Sequence, residues 1–252
     1  MTIEQAAADI LSSKKYQLLC PDTVVRILTQ EWGRHKKPKQ AVERTRERLH
    51  GICGAYLAPQ VEKQASTALA AGDVQKALAL HASTRERLDT YPQLYQFVFE
   101  NNLPARVLDI ACGLNPLMLH RQGVASVWGC DIHQGLGNVL TPYAQKHGWD
   151  FTFALHDVLC APVAASGDMA LVFKLLPLLE REQPGAALAL LRTLDAPVIC
   201  VSFPTRSLGG RGKGMHQHYA TWFEGLVAPH FTVQHHTLIG DELLYRIQPN
   251  PA

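Results

Sequence analysis

From residue 105 onward the chain breaks into short apolar runs separated by helical stretches: ARVLDIAC (105–112), SVWGCDI (126–132), FTFALHD (151–157), DMALVFK (168–174) and PVICVSFP (197–204). Runs this short and this apolar read as strands buried on both faces, and strands alternating with helices imply a parallel sheet covered by helices on each side. Two more strand candidates, 230–239 and 242–248, flank Gly240-Asp241 and form a closing hairpin. Such a hairpin inserts an antiparallel strand, where a nicotinamide-binding domain would continue with parallel units. The expected fold is therefore α/β, with the mostly parallel seven-stranded sheet of a class I (Rossmann-like) methyltransferase.

The first hundred residues have a different texture. Apolar residues recur at spacings of three and four, and breakers divide the region into helices over 3–16, 22–36, 39–57, 60–71, 74–81 and 83–100, the last interrupted at Pro92. With 252 residues and 47% apolar content the chain can bury one α/β core and carry such an appendage. Charge is distributed unevenly between the two regions. The whole chain is +2, but residues 1–60 hold ten Lys or Arg against six acids, leaving −2 for the remainder. A basic segment on a nearly neutral body has the form of an electrostatic docking module, although a solvated helical face has the same composition. Residues 1–80 are accordingly read as a helical, basic module and 81–252 as the catalytic domain.

The six cysteines are widely spaced and contain no C-x-x-C pair, so no metal is expected; Cys130 and Cys200 sit in apolar runs as small buried hydrophobes. No signal peptide or membrane-length apolar stretch is present, and a reduced cytoplasmic setting follows.

The chemistry concentrates at strand ends. RVLDIACGLNP (106–116) runs from a strand through small residues into a helix, a shape that lets backbone approach a ligand closely. It is not G-x-G-x-x-G, because Ala111 holds the first glycine position and Asn115 the third, which weakens a dinucleotide reading. It suits S-adenosylmethionine, whose methionine part offers an ammonium to Asp109 and to backbone carbonyls. VWGCDIH (127–133) ends a strand in Asp131, where a carboxylate accepts from both ribose hydroxyls, and ALHDVL (154–159) presents Asp157 for an adenine amino group. One acid at a strand end is ordinary capping, but three successive strands end this way.

After the fourth strand comes FKLLPLLE (173–180), which contains neither the D/N-P-P-Y/F/W motif for exocyclic amines nor a Pro-Cys nucleophile. The acceptor left is one that is already nucleophilic, such as guanine N7. SFPTRSLGGRGKGM (202–215) follows the fifth strand, its glycines interleaved with cations that suit phosphate contacts and closure over a substrate.

Together with KKYQLLCPDTVVRIL (14–28), EWGRHKKPKQAVE (31–43), RLHGICGAY (48–56) and HASTRERL (81–88), these motifs resemble the aminoglycoside-resistance 16S ribosomal RNA methyltransferases that modify a decoding-site guanine at N7. The resemblance spans essentially the whole chain. It implies S-adenosylmethionine as cofactor and 16S rRNA within the 30S subunit as partner, with a monomer acting and neither DNA nor membrane involved. It further implies cofactor contacts from Ala111, Gly113, Asp131, Ile132, His156 and Asp157, besides Asp109. Arg87 is the candidate for the methionine carboxylate, with Arg85 and Arg106 as alternatives, because His81, Thr84 and Arg87 would share one helix face. Lys174, Arg211 and Met215 are the candidate catalytic residues, and Lys14, Lys15, Arg34, Lys36, Lys37, Arg48, Arg206 and Lys213 the candidate RNA contacts. Phe173 and Met215 are the candidates to hold a flipped base. The rival readings are a methyltransferase for another RNA or a small molecule, a catalytically silent RNA-binding module, and a nicotinamide oxidoreductase.

Overall fold

A computed structural model describes residues 1–54, 60–100, 102–205 and 214–251. Seven strands form one sheet in the order β3-β2-β1-β4-β5-β7-β6. They are β1 (Arg106–Ile110), β2 (Ser126–Asp131), β3 (Asp150–Leu155), β4 (Met169–Phe173), β5 (Ile199–Pro204), β6 (Phe231–Ile239) and β7 (Glu242–Pro249). The first five run parallel, and β7 slots antiparallel between β5 and β6 through the turn at Gly240. The expected class I sheet, with its terminal hairpin, is thus present.

Alternating side chains serve two cores. Val107, Leu171, Cys200 and Leu244 face one helical layer, and Leu108, Ile110, Val172 and Phe203 face the other. The first layer holds α4 (Val61–Ala70), α5 (Val74–Leu80), α7 (Tyr91–Phe99), α8 (Pro116–Arg121) and α9 (Gln134–His147). The second holds α10 (Leu176–Glu182), α11 (Ala186–Thr193) and α12 (Met215–Val227). A third cluster is built by α1 (Ile3–Ser12), α2 (Pro21–Arg34) and α3 (Pro38–Cys53), and it reaches the body through Ile132 and Leu178. Residues 61–80, placed with the basic module by their helical texture, therefore share the sheet's apolar core, with Ala65, Leu69, Ala77 and Leu78 buried beside Val107. Among the described residues no helix is long and apolar enough to cross a membrane.

The helices expected over 3–16, 22–36 and 39–57 end at Ser12, Arg34 and Cys53, earlier than periodicity predicts. The run 3–16 stops at Ser12, because the Ser12 and Ser13 hydroxyls donate back to the Asp9 and Ile10 carbonyls and compete with the helical ladder. The run 83–100 divides into α6 (Ala82–Arg85) and α7, with turns between them. Thr84 Oγ1 donates to the carbonyls of Leu78 and His81, fixing the turn that enters α6, and the interruption expected at Pro92 falls just before α7, whose first turn holds that proline. His81, Thr84 and Arg87 consequently do not lie on one helix.

The turn after β1 is pinned from beneath. Asn115 donates to Asp109 Oδ2 at 2.9 Å and accepts from the Tyr95 hydroxyl at 2.8 Å, all three being fully buried. Asn115→Ala strands a carboxylate and a phenol away from water, so it is expected to lower unfolding free energy by roughly 3 kcal/mol. Tyr95→Phe removes one partner and should cost less. Chemical denaturation measures both, and equal or negligible losses would show that this network does not hold the turn.

Candidate active site

The carboxyl edge of the parallel strands forms one cavity. Seven of the sequence-predicted residues line it together: Ala111, Asp131, Ile132, His156, Asp157, Phe173 and Lys174. This is the crevice at the reversal of strand order, between β1 and β4, where open α/β sheets bind ligands.

At the first strand end, Ala111 has φ +53° and Gly113 φ +54°. Gly113 is obligatory for a second reason, since a Cβ there would fall 2.7 Å from His81 Cε1. Burial, helped by Arg87 and Arg85, pushes the His81 imidazole down to about 4, so the ring against this turn is neutral near pH 7. Asp109 lies behind the turn, and burial raises its carboxyl to about 7 despite the Asn115 hydrogen bond.

At the second strand end, Asp131 Oδ2 accepts from the Gly113 backbone N–H at 3.1 Å, linking the two loops. Burial lifts this carboxyl to about 6, against hydrogen bonds from the Gly113, His133 and Ile132 backbone that favour the anion. At the third, the His156 N–H donates to the Asp131 carbonyl at 2.9 Å and the ring pairs with the Ala161 carbonyl at 3.0 Å. Asp157 Oδ1 accepts from the Leu159 N–H at 2.9 Å, while Oδ2 is held by Arg26 of α2 at 3.0 and 3.1 Å.

Arg26 was not legible as a site residue, and neither were Ile52 and Cys53 of α3, which line the same cavity. All three belong to the N-terminal helices. The chain between α1 and α2 also bonds directly to the loop after Asp131: the Cys20 N–H donates to the Ile132 carbonyl and the Gln134 N–H to the Leu18 carbonyl, each at 2.7 Å. Leu19 and His133 thereby form an isolated antiparallel bridge. The appended module is one wall of the cavity.

The fourth strand end presents Lys174, a bulky residue at φ +57°. Its ammonium pairs with Glu242 at 2.8 Å and Glu86 at 2.5 Å. Glu242, at the start of β7, also takes both donors of the buried Arg87 at 2.7 and 3.0 Å. Burial alone would raise the Glu242 carboxyl, but Arg87 and Lys174 together hold it at about 2. Arg87 stacks on the Phe173 ring at 4.6 Å and, among the described residues, stands behind the cavity lining. Phe173 lines the cavity but is buried against that guanidinium. Of the two alternatives to Arg87, Arg85 is exposed beside the turn and Arg106 starts β1, at the opposite end from the crevice. No sequence signal marks Glu242 as the acid that organises these cations, because strand register alone brings it opposite Pro204.

The remaining candidates are spread more widely. Lys14, Lys15, Arg34, Lys36 and Lys37 are exposed on the N-terminal helices and their connections. Arg48 is engaged by Glu31 at 2.7 Å and Glu182 at 2.5 Å, clamping α3 to α10. Met215 opens α12, half-buried, and is not among the described lining residues. Arg206, Arg211 and Lys213 lie outside the described residues.

A backbone cradle at Gly113 with carboxylates at the next two strand ends matches the donor set of a nucleoside attached to an amino acid. Because Asp131 would accept ribose hydroxyls as the anion, cofactor affinity should be constant above pH 7 and fall below about 6, with a proton released on binding. Calorimetry with S-adenosylhomocysteine should show this step in the wild type and its loss, with much weaker binding, in Asp131→Asn. A profile flat from pH 5 to 8 would remove Asp131 from the ribose position.

Comparison with known proteins finds ribosomal RNA methyltransferases similar to this chain along nearly its whole length. The family described as ribosomal RNA methyltransferase (FmrO) matches residues 12–246. A 16S rRNA (guanine(1405)-N(7))-methyltransferase from Serratia marcescens is 64% identical over 250 residues, covering 99% of this chain and 100% of that protein. The crystal structure of the 16S rRNA methylase RmtB superposes with a TM-score of 0.93 at 60% identity, with 99% of each chain covered. That of the 16S rRNA methyltransferase RmtF in complex with S-adenosyl-L-homocysteine gives 0.91 at 39% identity, with 98% of each covered.

Proposed function

The chain belongs to the FmrO family of ribosomal RNA methyltransferases, and from that premise we propose that it methylates N7 of guanine 1405 in 16S rRNA, as its 64%-identical relative is named to do. The substrate form in this reading is the assembled 30S subunit, the enzyme a cytoplasmic monomer, and the outcome aminoglycoside resistance. The observation that carries it is the cavity at the carboxyl edge of β1–β4, in a chain that superposes at a TM-score of 0.91 on a relative crystallised with S-adenosylhomocysteine.

S-adenosylmethionine supplies an electrophilic methyl group when bound. Guanine N7 has an exposed lone pair and no proton to lose, so the protein's work is orientation and proximity rather than acid–base catalysis. Asp131 would receive the ribose hydroxyls, Ile132 and Asp157 the adenine, and the Ala111–Gly113 backbone the methionine part. Asp109 lies beneath that turn, and Arg87, paired with Glu242, serves the methionine end through the Glu242–Lys174 cluster. Lys174, which follows β4 and lines the same cavity, would act beside the transferred methyl group. The base must first leave its stack. Arg206, Arg211, Lys213 and Met215 are assigned to the distorted RNA, the first three from sequence alone. A methylated N7 loses its acceptor and gains positive charge, which disfavours a cationic drug that donates there.

Docking falls to the exposed cations of the first three helices. Converting Lys36, Lys37 and Lys39 to Glu should leave S-adenosylhomocysteine affinity intact while 30S affinity drops at least about tenfold and its salt dependence flattens. Unchanged 30S binding at every salt concentration would reduce these lysines to a solvated face.

Mass-spectrometric mapping after incubation with intact 30S subunits, free 16S RNA and small nucleosides tests the function itself. One N7-methylguanine at position 1405, formed on the subunit, is the expected product. Methylation only of free RNA or of small molecules would give the chain a different substrate, and failure to bind the cofactor would make it a silent RNA-binding module.

A further inference from the structure

Arg26 reaches the cofactor cavity from the N-terminal module, where the established cofactor motifs have no counterpart. A carboxylate has about four lone-pair sites, two on each oxygen. On Asp157, Arg26 Nε and Nη2 fill both sites of Oδ2 at 3.1 and 3.0 Å, and the Leu159 N–H fills one site of Oδ1 at 2.9 Å. One acceptor site is left, on the oxygen whose direction the guanidinium fixes. The surrounding walls are apolar, from Ile52, Ile132 and Leu159, so a group entering there gives up water.

We propose that Arg26 is an adenine-specificity residue: by occupying Oδ2 and fixing the Asp157 carboxylate, it leaves a single acceptor that accepts an exocyclic amine and rejects a carbonyl at the same ring position. The inference rests on the reading of Asp157 as the acid facing adenine. A planar two-nitrogen grip suits this task, since it orients the carboxylate as well as neutralising it. Arg26 is itself held in place: its side chain is 13% exposed, and its Nη1 stands 4.0 Å from Glu182, which Arg48 grips at 2.5 Å. Without Arg26 the carboxylate regains rotational freedom and two further acceptor sites, enough to admit water beside a mismatched base.

The test compares calorimetric affinities for S-adenosylhomocysteine and S-inosylhomocysteine, which differ by an amine against a carbonyl at C6 and by a bare N1 against an N1–H. The wild type should prefer the adenosine compound by at least about tenfold, the cost of opposing a buried acceptor with another. In Arg26→Ala that ratio should shrink by at least about fivefold, and Arg26→Lys, which keeps the charge without the planar fork, should restore only part of it. A structural role alone would weaken both ligands equally, and an unchanged ratio in Arg26→Ala overturns the proposal. If Arg26→Ala fails to fold, the same ratio measured in Arg26→Lys decides, full wild-type preference overturning it. Asp157→Asn separates the two layers of the argument. A lost preference there with an unchanged one in the Arg26 variants contradicts the role of Arg26, whereas a preference kept in Asp157→Asn contradicts the placement of Asp157 and the inference with it.

Discussion

The loop that follows β2 depends on a partner far away in sequence. Its Ile132 carbonyl and Gln134 N–H are both satisfied by the Leu18–Cys20 segment between α1 and α2. Backbone groups in a half-buried loop need such partners, and here they come from a region whose cations otherwise face solvent. The Arg26–Asp157 pair repeats the junction one strand further along, and Arg48–Glu182 repeats it at α10. Three contacts thus tie the basic helices to the loops at the carboxyl edge of the sheet and to α10. The helices that carry the exposed cations also supply Arg26, Ile52 and Cys53 to the wall of the cavity.

On the opposite flank of the crevice, Glu242 performs a comparable service. Its buried carboxylate gathers Arg87 and Lys174, which would otherwise repel one another beside the cavity. Breaking such a buried group by removing one member leaves an uncompensated charge, so its members act as a unit. Lys174 adopts a left-handed backbone conformation beside this cluster, and Ala111 does the same at the end of the neighbouring strand β1. Non-glycine residues hold that conformation only where the surroundings over-determine it, and both line the cavity.

The sheet was readable because strands buried on both faces write themselves as continuous apolar runs; each of the seven was found within about two residues of its expected span. The acids at the ends of β1, β2 and β3 were readable for the same reason, since a carboxylate that interrupts an apolar run stands out. Ends of helices were less so, because Ser12, Ser13 and Thr84 redirect the chain by side-chain to backbone bonds that periodicity does not register. Arg26 and Glu242 were invisible on different grounds. Each looks like a solvated charge in its own element, TVVRIL in a helix and ELLYRI in a strand, and acquires its partner only through contacts 131 and 155 residues away. The helical texture of residues 61–80 suggested membership of the basic module, yet those helices bury their alanines and leucines against the sheet.

The central claim is that the N-terminal helices and the strand ends form one cofactor pocket, and native-state hydrogen exchange on the full chain addresses it directly. Adding S-adenosylhomocysteine should slow exchange in the 131–136 and 156–159 loops and, to a comparable degree, in 18–27, because the two sides share the Leu18–Cys20 bonds and the Arg26–Asp157 pair. Protection confined to the strand-end loops, with 18–27 exchanging as it does without ligand, would contradict the account and leave the N-terminal helices a docking module alone.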